Sequence, residues 1–193
     1  MTEEKNYPET VEEAQLKYVL FEPRYEWIDG VRYMMPSPST FHQQILGKLH
    51  IRFIIHFEKR PCKVFIAPLD VKFPNTANGK NSVLPDLFVV CDRSKVTPAN
   101  IKGAPTLVVE VVSTSNTTNQ KRDTEVKFQL YAKNGVPEYW LVYKNMIEVY
   151  TLIDDTYQLH GKFSKDVKDT SIVTSAQFQD LHIDLNTLFE DIW

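Results

Sequence analysis

The first strong pattern of apolar and polar positions is a pair of β-prone runs at residues 25–28 and 31–35. They are rich in aromatic, β-branched and Met side chains, and only Asp29-Gly30 separates them. A two-residue Asp-Gly connection between such runs is the strongest short signal for a β-hairpin. We therefore expect the two runs to pair.

A long amphipathic helix is predicted next. Ser39 or Thr40 can cap its start, and the helical pattern continues to Glu58 or Lys59. Apolar residues recur along it at the spacing of one helix face, and such a face packs on a sheet. These residues are Phe41, Ile45, Leu49, Phe53 and Phe57.

The middle of the chain has patterns typical of strands. Residues 63–67, 69–73 and 84–90 are strand-like. The polar segment 74–82 predicts a loop, of the kind that often carries function. Residues 106–112 are an almost unbroken β-branched run, which is typical of a central strand buried on both faces.

The second half of the chain predicts a helix and then a β-meander. The helix extends from about Lys121 to the stop signal Asn134-Gly135, and a short helix at 186–189 closes the chain. The whole order predicts an α/β fold, a mixed β-sheet flanked by helices with an additional β-meander. The strand-like runs of the meander are 139–143, 147–152 and 157–160.

The composition is that of a globular protein. The chain has 193 residues, of which 42% are hydrophobic and 24% charged, so a disordered, collagen-like or coiled-coil protein is excluded. We expect one domain over 1–193, with a helical extension at 1–20. No apolar run reaches the ~20 residues of a membrane span, and Glu3 and Glu4 stand where a signal peptide needs positive charge. We therefore expect no membrane contact and a cytoplasmic location.

The charge balance restricts nucleic-acid binding to local patches. The chain has 22 Lys and Arg against 25 Asp and Glu, a net charge of −3, which argues against a generally basic surface. Two groups of cations are candidate patches, although such groups are usually solvated faces. They are Arg52, Lys59, Arg60 and Lys63, and Lys121, Arg122 and Lys127.

Cys62 and Cys91 both lie in apolar segments. Two cysteines without metal-ligand spacing indicate neither a disulfide framework nor a cysteine metal site. Free cysteine is among the most buried residue types, so we expect two reduced thiols in the core.

Glu110 gives the first indication of chemistry, because it is the one charged residue of the predicted central strand. Burying an ionised carboxylate is costly unless a cation or hydrogen-bond donors compensate. An Arg or Lys side chain, backbone donors at the strand end, or a bound metal ion could each compensate it.

A second carboxylate, Asp86, follows Pro85 at the edge of an earlier apolar run. If the two strands are neighbours, Asp86 and Glu110 come together. Adjacent carboxylates repel each other unless a divalent cation lies between them, and oxygen ligands suit Mg²⁺ or Mn²⁺. The alternative is that Asp86 is a turn residue after Pro85.

The helix after the central strand offers a cation for the same site. Asp123 and Lys127 are four residues apart and therefore share a helix face, so Lys127 could point back at the strand ends. The alternative is an exposed ion pair worth about 0.3–0.5 kcal/mol. Signatures of other enzyme classes are absent, and Ser113 lacks the flanking glycines of a nucleophile elbow.

A set of motifs stands in a definite order along the chain. They are Tyr25-Glu26-Trp27-Ile28-Asp29-Gly30, Met35-Pro36-Ser37-Pro38-Ser39 with His42, Pro85-Asp86, Val109-Glu110-Val111-Val112-Ser113-Thr114, Asp123 with Lys127 and Tyr131, and Gly135-Val136-Pro137-Glu138-Tyr139-Trp140. This set resembles the PD-(D/E)XK nuclease superfamily, and within it the restriction-endonuclease-like proteins of the Uma-two type. The resemblance covers approximately residues 20–190 and implies a restriction-endonuclease-like fold.

The resemblance implies that Asp86 and Glu110 hold Mg²⁺ or Mn²⁺, with the Val111 carbonyl as a further ligand. The superfamily usually has a lysine two positions after this glutamate, where this chain has Val112. The resemblance therefore assigns that role to Lys127 on the following helix. Lys127 would orient the attacking water and stabilise the developing negative charge.

The resemblance also implies supporting residues. Glu26 resembles an additional early acid that assists the metal, and its alternative is a solvated cross-strand residue. His42 could touch a phosphate or assist proton transfer, and its alternative is a helix cap or a partly buried, hydrogen-bonded histidine. We expect Asp123 and Ser113 to lie beside the site, where they would contact nucleic acid or the metal ligands. Ser113 begins a polar stretch.

The resemblance implies a metal-dependent endonuclease that hydrolyses nucleic acid, DNA rather than RNA, and acts as a homodimer. The alternative is a non-catalytic module of the same fold that binds nucleic acid or a protein partner, which Val112 favours. A third hypothesis is self-association through aromatic side chains, although such residues are more often core. These aromatic residues are Tyr139, Trp140, Tyr143, Tyr150 and Tyr157.

Overall fold

The structure is a computed structural model that describes residue 10, residues 24–113 and residues 117–192. The helical extension expected at 1–20 lies, apart from Thr10, outside the described residues.

Strands dominate the described part of the chain. The strands up to residue 102 are β1 (Tyr25–Ile28), β2 (Val31–Met34), β3 (Lys63–Ile66), β4 (Val71–Thr76), β5 (Gly79–Val83), β6 (Leu87–Val90) and β7 (Ile101–Lys102). The later strands are β8 (Leu107–Val111), β9 (Glu138–Val142), β10 (Met146–Ile153), β11 (Thr156–Ser164), β12 (Ile172–Thr174) and β13 (His182–Asp184). The helices are α1 (Thr40–Phe57), α2 (Thr117–Lys121), a π-helix (Arg122–Val126), α3 (Lys127–Lys133) and α4 (Leu185–Leu188), with 3₁₀ turns at Arg93–Lys95 and Lys168–Thr170.

Two large sheets are present among these strands. The first sheet has the order β2-β1-β5-β4-β7, and the second has the order β11-β10-β9-β8-β6-β3. In the second sheet β8 and β9 are parallel, because the helical segment between them returns the chain to the same edge. The other pairs of that sheet are antiparallel, and β9-β10-β11 is the predicted meander. The α/β fold with a mixed sheet is confirmed.

The hairpin of β1 and β2 forms as predicted. Asp29 has φ 47° and Gly30 has φ 77°, the positive values that a two-residue turn of this type requires. Gly30 also permits a close approach, because a Cβ there would lie 2.2 Å from the Asn78 carbonyl oxygen. The backbone of Gly30 therefore lies directly against the turn between β4 and β5.

Helix α1 also begins where the sequence predicts. The Ser39 hydroxyl oxygen accepts a hydrogen bond from the His42 backbone N–H at 3.2 Å, which is an N-cap. The buried face of α1 packs on the second sheet and consists of Ile45, Leu46, Leu49, Phe53 and Phe57.

The prediction of a loop at 74–82 is wrong. The structure instead has β4 and β5, with a tight turn between Thr76 and Gly79. Asn81 and Ser82 of β5 are buried because their side chains are paired. Asn81 Oδ1 accepts from the Asp29 N–H at 2.7 Å, and the Ser82 hydroxyl donates to Asp70 at 2.9 Å.

The prediction that Cys62 and Cys91 are reduced thiols is also wrong, because the structure joins these residues in a disulfide. The register explains why they meet. Lys63 of β3 lies opposite Val90 of β6 in an antiparallel pair. The residue before Lys63 and the residue after Val90 are therefore also opposite each other.

The second sheet separates two apolar clusters. On one face α1 and α4 cover it, and on the other face the first sheet and α3 cover it. Strand β8 is buried along its whole length, as predicted for the central strand. Tyr139 and Trp140 of β9 are fully buried, so these two aromatic residues belong to the core rather than to an interface.

Candidate active site

Strands β6 and β8 bring Asp86 and Glu110 together. Leu87 lies opposite Val109 in this antiparallel pair, so Asp86, one residue earlier, faces Glu110, one residue later. Both residues are buried, with 8% and 2% of their surfaces exposed. Asp86 Oδ2 accepts a hydrogen bond from the Val111 backbone N–H at 2.7 Å. Asp86 lies at the bend before β6, as the alternative interpretation expected, and this hydrogen bond attaches it to the end of the central strand.

Lys127 points at these strand ends. Its Nζ lies 2.9 Å from Glu110 Oε1 and 2.9 Å from Glu26 Oε1, and 3.5 Å from Asp123 Oδ1. Only 1% of Lys127 is exposed. The interpretation of Asp123 and Lys127 as an exposed ion pair is therefore wrong. The prediction that Lys127 points at the strand ends is confirmed.

The π-helix before α3 sets this direction. The Lys127 backbone N–H donates to the Arg122 carbonyl, five residues earlier, so the two residues lie above one another on the helix. In a regular α-helix they would be about 140° apart around the axis. The sequence predicts a helix here from about Lys121, but the helical segment begins at Thr117 and contains this wider turn.

Glu26 is buried in the middle of the molecule with 0% exposure. Its Oε1 accepts from the Leu84 N–H at 2.9 Å in addition to Lys127, and its Oε2 lies 3.5 Å from Arg122 Nε. The solvated cross-strand interpretation is wrong, because β1 lies inside the first sheet and turns Glu26 towards the second. Glu26 thereby anchors both cations of the site.

His42 lies on the first turn of α1. Its Nε2 is 3.0 Å from Asp86 Oδ2, so it is the partly buried, hydrogen-bonded histidine of the alternative interpretation. Burial alone would lower the pKa of His42. The hydrogen bond and charge of Asp86, together with the charge of Asp123, outweigh burial and raise this pKa above its ordinary value.

Arg122 and Tyr131 also belong to the site, although the sequence predicts no role there for Tyr131 and places Arg122 in a basic patch. Arg122 Nε lies between Glu26 and Asp123, at 3.5 and 3.8 Å. The Tyr131 hydroxyl donates to Glu110 Oε1 at 2.8 Å. For Tyr131 the available signal was its spacing, since it follows Lys127 by one helical turn. For Arg122 the spacing gave no signal, because five residues separate different faces of a regular α-helix.

The predicted basic patches are only partly paired, because Lys59, Lys63 and Lys121 stay exposed. Arg122 and Lys127 are buried against carboxylates. In the other patch, Arg60 pairs with Asp180. Arg52 donates to the Lys48 carbonyl at 3.0 Å and to Thr187.

The site holds more buried negative than positive charge. Four buried carboxylates, Glu26, Asp86, Glu110 and Asp123, face the two buried cations Arg122 and Lys127. Burial raises the pKa of Glu110 well above its ordinary value, and the neighbouring carboxylates raise it further against the opposing charge of Lys127. Burial likewise raises the pKa of Asp123.

The same carboxylates act in the opposite sense on Lys127. Burial would lower the pKa of this ammonium group, but Glu110, Glu26 and Asp123 outweigh burial and raise it above its ordinary value. Lys127 is therefore a cation at every pH at which the protein would be assayed.

A cavity of about 950 Å³ opens at these groups. Glu26 does not line it, because it lies behind Lys127. The predicted site residues that do line it are His42, Asp86, Glu110, Val111, Ser113, Asp123 and Lys127. A ligand in the cavity would therefore meet both strand-end carboxylates and the lysine.

The donor set fits a divalent cation with oxygen ligands. The buried carboxylates exceed the buried cations, and Asp123 Oδ1, on a residue that lines the cavity, accepts no hydrogen bond within the described residues. No group of three His, Cys, Asp or Glu in the described ranges is arranged to hold a metal ion. Mg²⁺ requires no such group, because it keeps several waters and binds through one or two carboxylates.

No helix in the part of the chain that the structure describes is both long and apolar enough to cross a membrane.

Known proteins show the same fold. A crystal structure described as a putative nuclease belonging to DUF820, from Anabaena variabilis, superposes with a TM-score of 0.69. It covers 96% of this chain and 100% of its own, at 21% sequence identity. At this identity the likeness shows the fold, and the restriction-endonuclease-like architecture implied by the motifs is confirmed.

Sequence comparison identifies one relative of this chain and the family to which the chain belongs. Uncharacterized protein slr1290 of Synechocystis sp. is 32% identical over 127 residues, which are 65% of this chain and 64% of that protein. The match therefore spans somewhat less than two thirds of the relative. The model of the family described as "Uma2: Putative restriction endonuclease" matches residues 13–185. Because this match includes most of the chain, the protein belongs to the Uma2 family.

Proposed function

We propose that the chain is a metal-dependent endonuclease that hydrolyses phosphodiester bonds, with DNA rather than RNA as its substrate. One observation carries the proposal. Asp86, Glu110 and the Lys127 ammonium line one cavity, with Lys127 Nζ 2.9 Å from Glu110 Oε1. Membership of a family described as restriction endonucleases supports it.

Asp86 and Glu110 would hold Mg²⁺ or Mn²⁺, with the Val111 carbonyl as a further ligand. When bound, the ion lowers the pKa of a coordinated water and stabilises negative charge on the scissile phosphate. The Val111 N–H and His42 fix Asp86, while Lys127 and Tyr131 fix Glu110. The ligands would therefore be oriented before the ion binds, which limits the reorganisation that binding requires.

Lys127 would act on the water and the phosphate as a hydrogen-bond donor. In hydrolysis a water oxygen bonds to phosphorus, the bond from phosphorus to the bridging oxygen breaks, and the departing oxygen gains a proton. Lys127 keeps its own proton because three carboxylates raise its pKa, so it cannot be the general base. Its positive charge stabilises the charge that develops on the phosphate.

The remaining residues would position these groups. Glu26 and Asp123 hold the ammonium of Lys127, and Arg122 balances their charge. His42 holds a proton against Asp86 at the mouth of the cavity, where it can contact a phosphate. Ser113 lines the same cavity and would contact the nucleic acid.

The first test is metal binding by isothermal titration calorimetry. Glu110→Gln keeps the shape of the side chain and removes its charge, so we expect Mg²⁺ and Mn²⁺ affinity to fall at least tenfold. Glu125→Gln is the matched control, because Glu125 is exposed on the π-helix away from the cavity. Equal metal affinity in all three proteins would remove the proposed site.

The second test is nicking of DNA in the presence of Mg²⁺ or Mn²⁺. Lys127→Met keeps much of the side-chain volume and removes the ammonium group, so we expect cleavage to fall at least a hundredfold. Lys133→Met, on the exposed side of α3, should leave cleavage unchanged. Nicking that survives both Glu110→Gln and Lys127→Met would come from another site or a contaminant.

A non-catalytic module of the same fold is the second candidate. Lys127 pairs with both Glu110 and Glu26, and position 112 carries valine rather than lysine. Such a module would bind nucleic acid or a protein partner without cleaving. DNA binding that is independent of Mg²⁺ and unchanged by Glu110→Gln, with no nicking, would favour it over the enzyme.

A further inference from the structure

The walls of the cavity differ in chemistry from its floor. The floor consists of the charged groups described above, whereas the wall formed by the start of α1 and the end of β3 is largely apolar. Ile66, at the end of β3, is 37% exposed there. The other apolar residues of the wall are Met35, Pro36, Pro38, Phe41, Ala67 and Pro68.

Few cations line the cavity for contact with phosphates. Among the described lining residues, Lys127 and Arg122 are buried and paired with carboxylates, which leaves Arg24 and Lys144 as exposed cations. Lys and Arg contacts to phosphates supply essentially all of the non-specific affinity of proteins for duplex DNA. The net charge of −3 also gives the molecule no general attraction to a duplex backbone.

An apolar wall beside a scissile phosphate has no partner on an intact duplex. A duplex keeps its bases stacked inside and presents phosphates and sugars to a protein of this shape. An unpaired strand can turn its bases outward and stack them on aromatic side chains with little dependence on sequence, and Phe41 offers such a side chain among the apolar residues of this wall. Polar groups such as Gln43 at the same wall can meet the edges of those bases.

We infer that the substrate is single-stranded DNA, whose unpaired bases pack on the wall around Ile66 while Arg24 and Lys144 hold the flanking phosphates. This inference rests on the proposed function for the cleavage step. It concerns the same cavity, and its volume of about 950 Å³ lies in the range of sites that enclose small ligands. A few nucleotides of one strand suit that space better than a double helix.

Binding tests the inference without requiring cleavage. We would measure fluorescence anisotropy of a labelled 20-nucleotide strand, of its blunt duplex and of the matching RNA strand, in EDTA with the wild-type protein. The single DNA strand should bind at least tenfold more tightly than the duplex. Equal or tighter binding of the duplex would overturn the inference, and tighter binding of RNA would overturn its assignment to DNA.

Variants of the wall and of its cation test the contacts. Ile66→Ser should weaken single-strand binding by about threefold to tenfold. Ile55→Ser should not, because Ile55 is equally apolar and 69% exposed on α1, outside the cavity. Lys144→Ala should reduce the slope of log affinity against log salt by about 0.7, while Lys59→Ala leaves the slope unchanged. An unchanged Ile66→Ser protein would contradict the inference.

Cleavage then separates this inference from the proposed function. With Mg²⁺ or Mn²⁺, a strand with a central unpaired bubble should be cut within the bubble, at least tenfold faster than the same strand in a full duplex. Equal cutting of both would overturn the inference and leave the nuclease intact. Preferential binding of the single strand without any cutting would support the inference and overturn the nuclease.

Discussion

Glu110 is stabilised by a small number of specific contacts to one of its oxygens. Glu110 Oε1 accepts from Lys127 Nζ at 2.9 Å and from the Tyr131 hydroxyl at 2.8 Å, while burial still raises the pKa of this carboxyl group. The charge is therefore only partly compensated. An additional cation would therefore stabilise this buried carboxylate more than it would stabilise an exposed one.

Removing the Tyr131 hydroxyl should show how much its hydrogen bond to buried Glu110 stabilises the folded protein. Tyr131→Phe deletes a buried hydrogen bond to a charged acceptor, so we expect the free energy of unfolding to fall by about 1.5–3 kcal/mol. Tyr143→Phe is the control, because Tyr143 is half-buried and its hydroxyl lies 3.3 Å from Glu148. Urea unfolding of both variants gives the comparison, and equal losses would contradict the special cost at Glu110.

The His42 contact predicts a pH dependence of stability in the metal-free protein. The pKa of His42 is raised in the folded state above its ordinary value of 6.5. Its stabilising effect is therefore fully present below about pH 6.5 and is lost as the pH rises through the folded-state value.

His42→Gln should lower the melting temperature most at acidic pH. The difference from wild type should shrink as the pH rises from about 6 to 9, since unprotonated His42 loses the charge that attracts Asp86. Differential scanning calorimetry in EDTA measures it, with His50→Gln on the same helix as the control for loss of an imidazole. A difference that grows with pH would contradict the assigned sign.

At the scale of elements, the segment between β8 and β9 decides which side chains reach the cavity. The sequence predicts the helix from its apolar spacing and from Asn134-Gly135, and Gly135 has the positive φ of 75° that ends α3. It gives no signal for the π-helix. That wider turn is favoured by contacts outside the segment, because it lets Arg122 and Lys127 both meet Glu26.

Deletion of Thr124 should convert this π-turn into a regular α-turn. Arg122 would then precede Lys127 by four residues, about 40° apart around the helix axis, so both side chains should still reach the site. We therefore expect circular dichroism to retain the helical signal and metal-dependent cleavage to stay within about threefold of wild type. Thr124→Ala keeps the chain length and removes only the hydroxyl that donates to the Gln120 carbonyl, so its activity should also be unchanged. A loss of at least tenfold after the deletion alone would show that the wider turn itself positions the site.

At the scale of the whole molecule, the site combines parts that are distant along the chain. Glu26 comes from the first sheet, His42 from α1, Asp86 and Glu110 from the second sheet, and Lys127 from the helix between β8 and β9. The site therefore depends on how the two sheets pack together. The homodimer stays a prediction that light scattering can test, and a single-stranded substrate would need only one such site.

The disulfide between Cys62 and Cys91 should stabilise the whole fold. It joins β3 to β6 and closes a segment with a sequence separation of 29 residues. A loop of this length restricts the unfolded chain by about 3–4 kcal/mol. The double variant Cys62→Ala, Cys91→Ala should lose about that free energy of unfolding in urea under oxidising conditions.

The same comparison in excess reductant is the control. Wild type and the double variant should then differ only by the small effect of losing two sulfur atoms. Equal stability of the two proteins under oxidising conditions would mean that the disulfide does not form in solution.

Local sequence patterns were enough to predict the hairpin, α1, the central strand, the meander and the candidates Asp86, Glu110 and Lys127. Local physics is sufficient for these: Asp29-Gly30 fixes a turn, Ser39 caps a helix, and a carboxylate in a β-branched run is conspicuous because its burial is costly. Asp86 and Glu110 could be paired because neighbouring antiparallel strands have a fixed register.

The burial of Glu26, the contacts of Arg122 and Tyr131 in the site, the strands at 71–83 and the pairing of the cysteines became visible only in the folded chain. Each depends on a partner far along the chain, such as Asp29 with Asn81, which no local pattern encodes. A polar residue is exposed or buried according to whether a partner reaches it, and that is settled when the sheets pack.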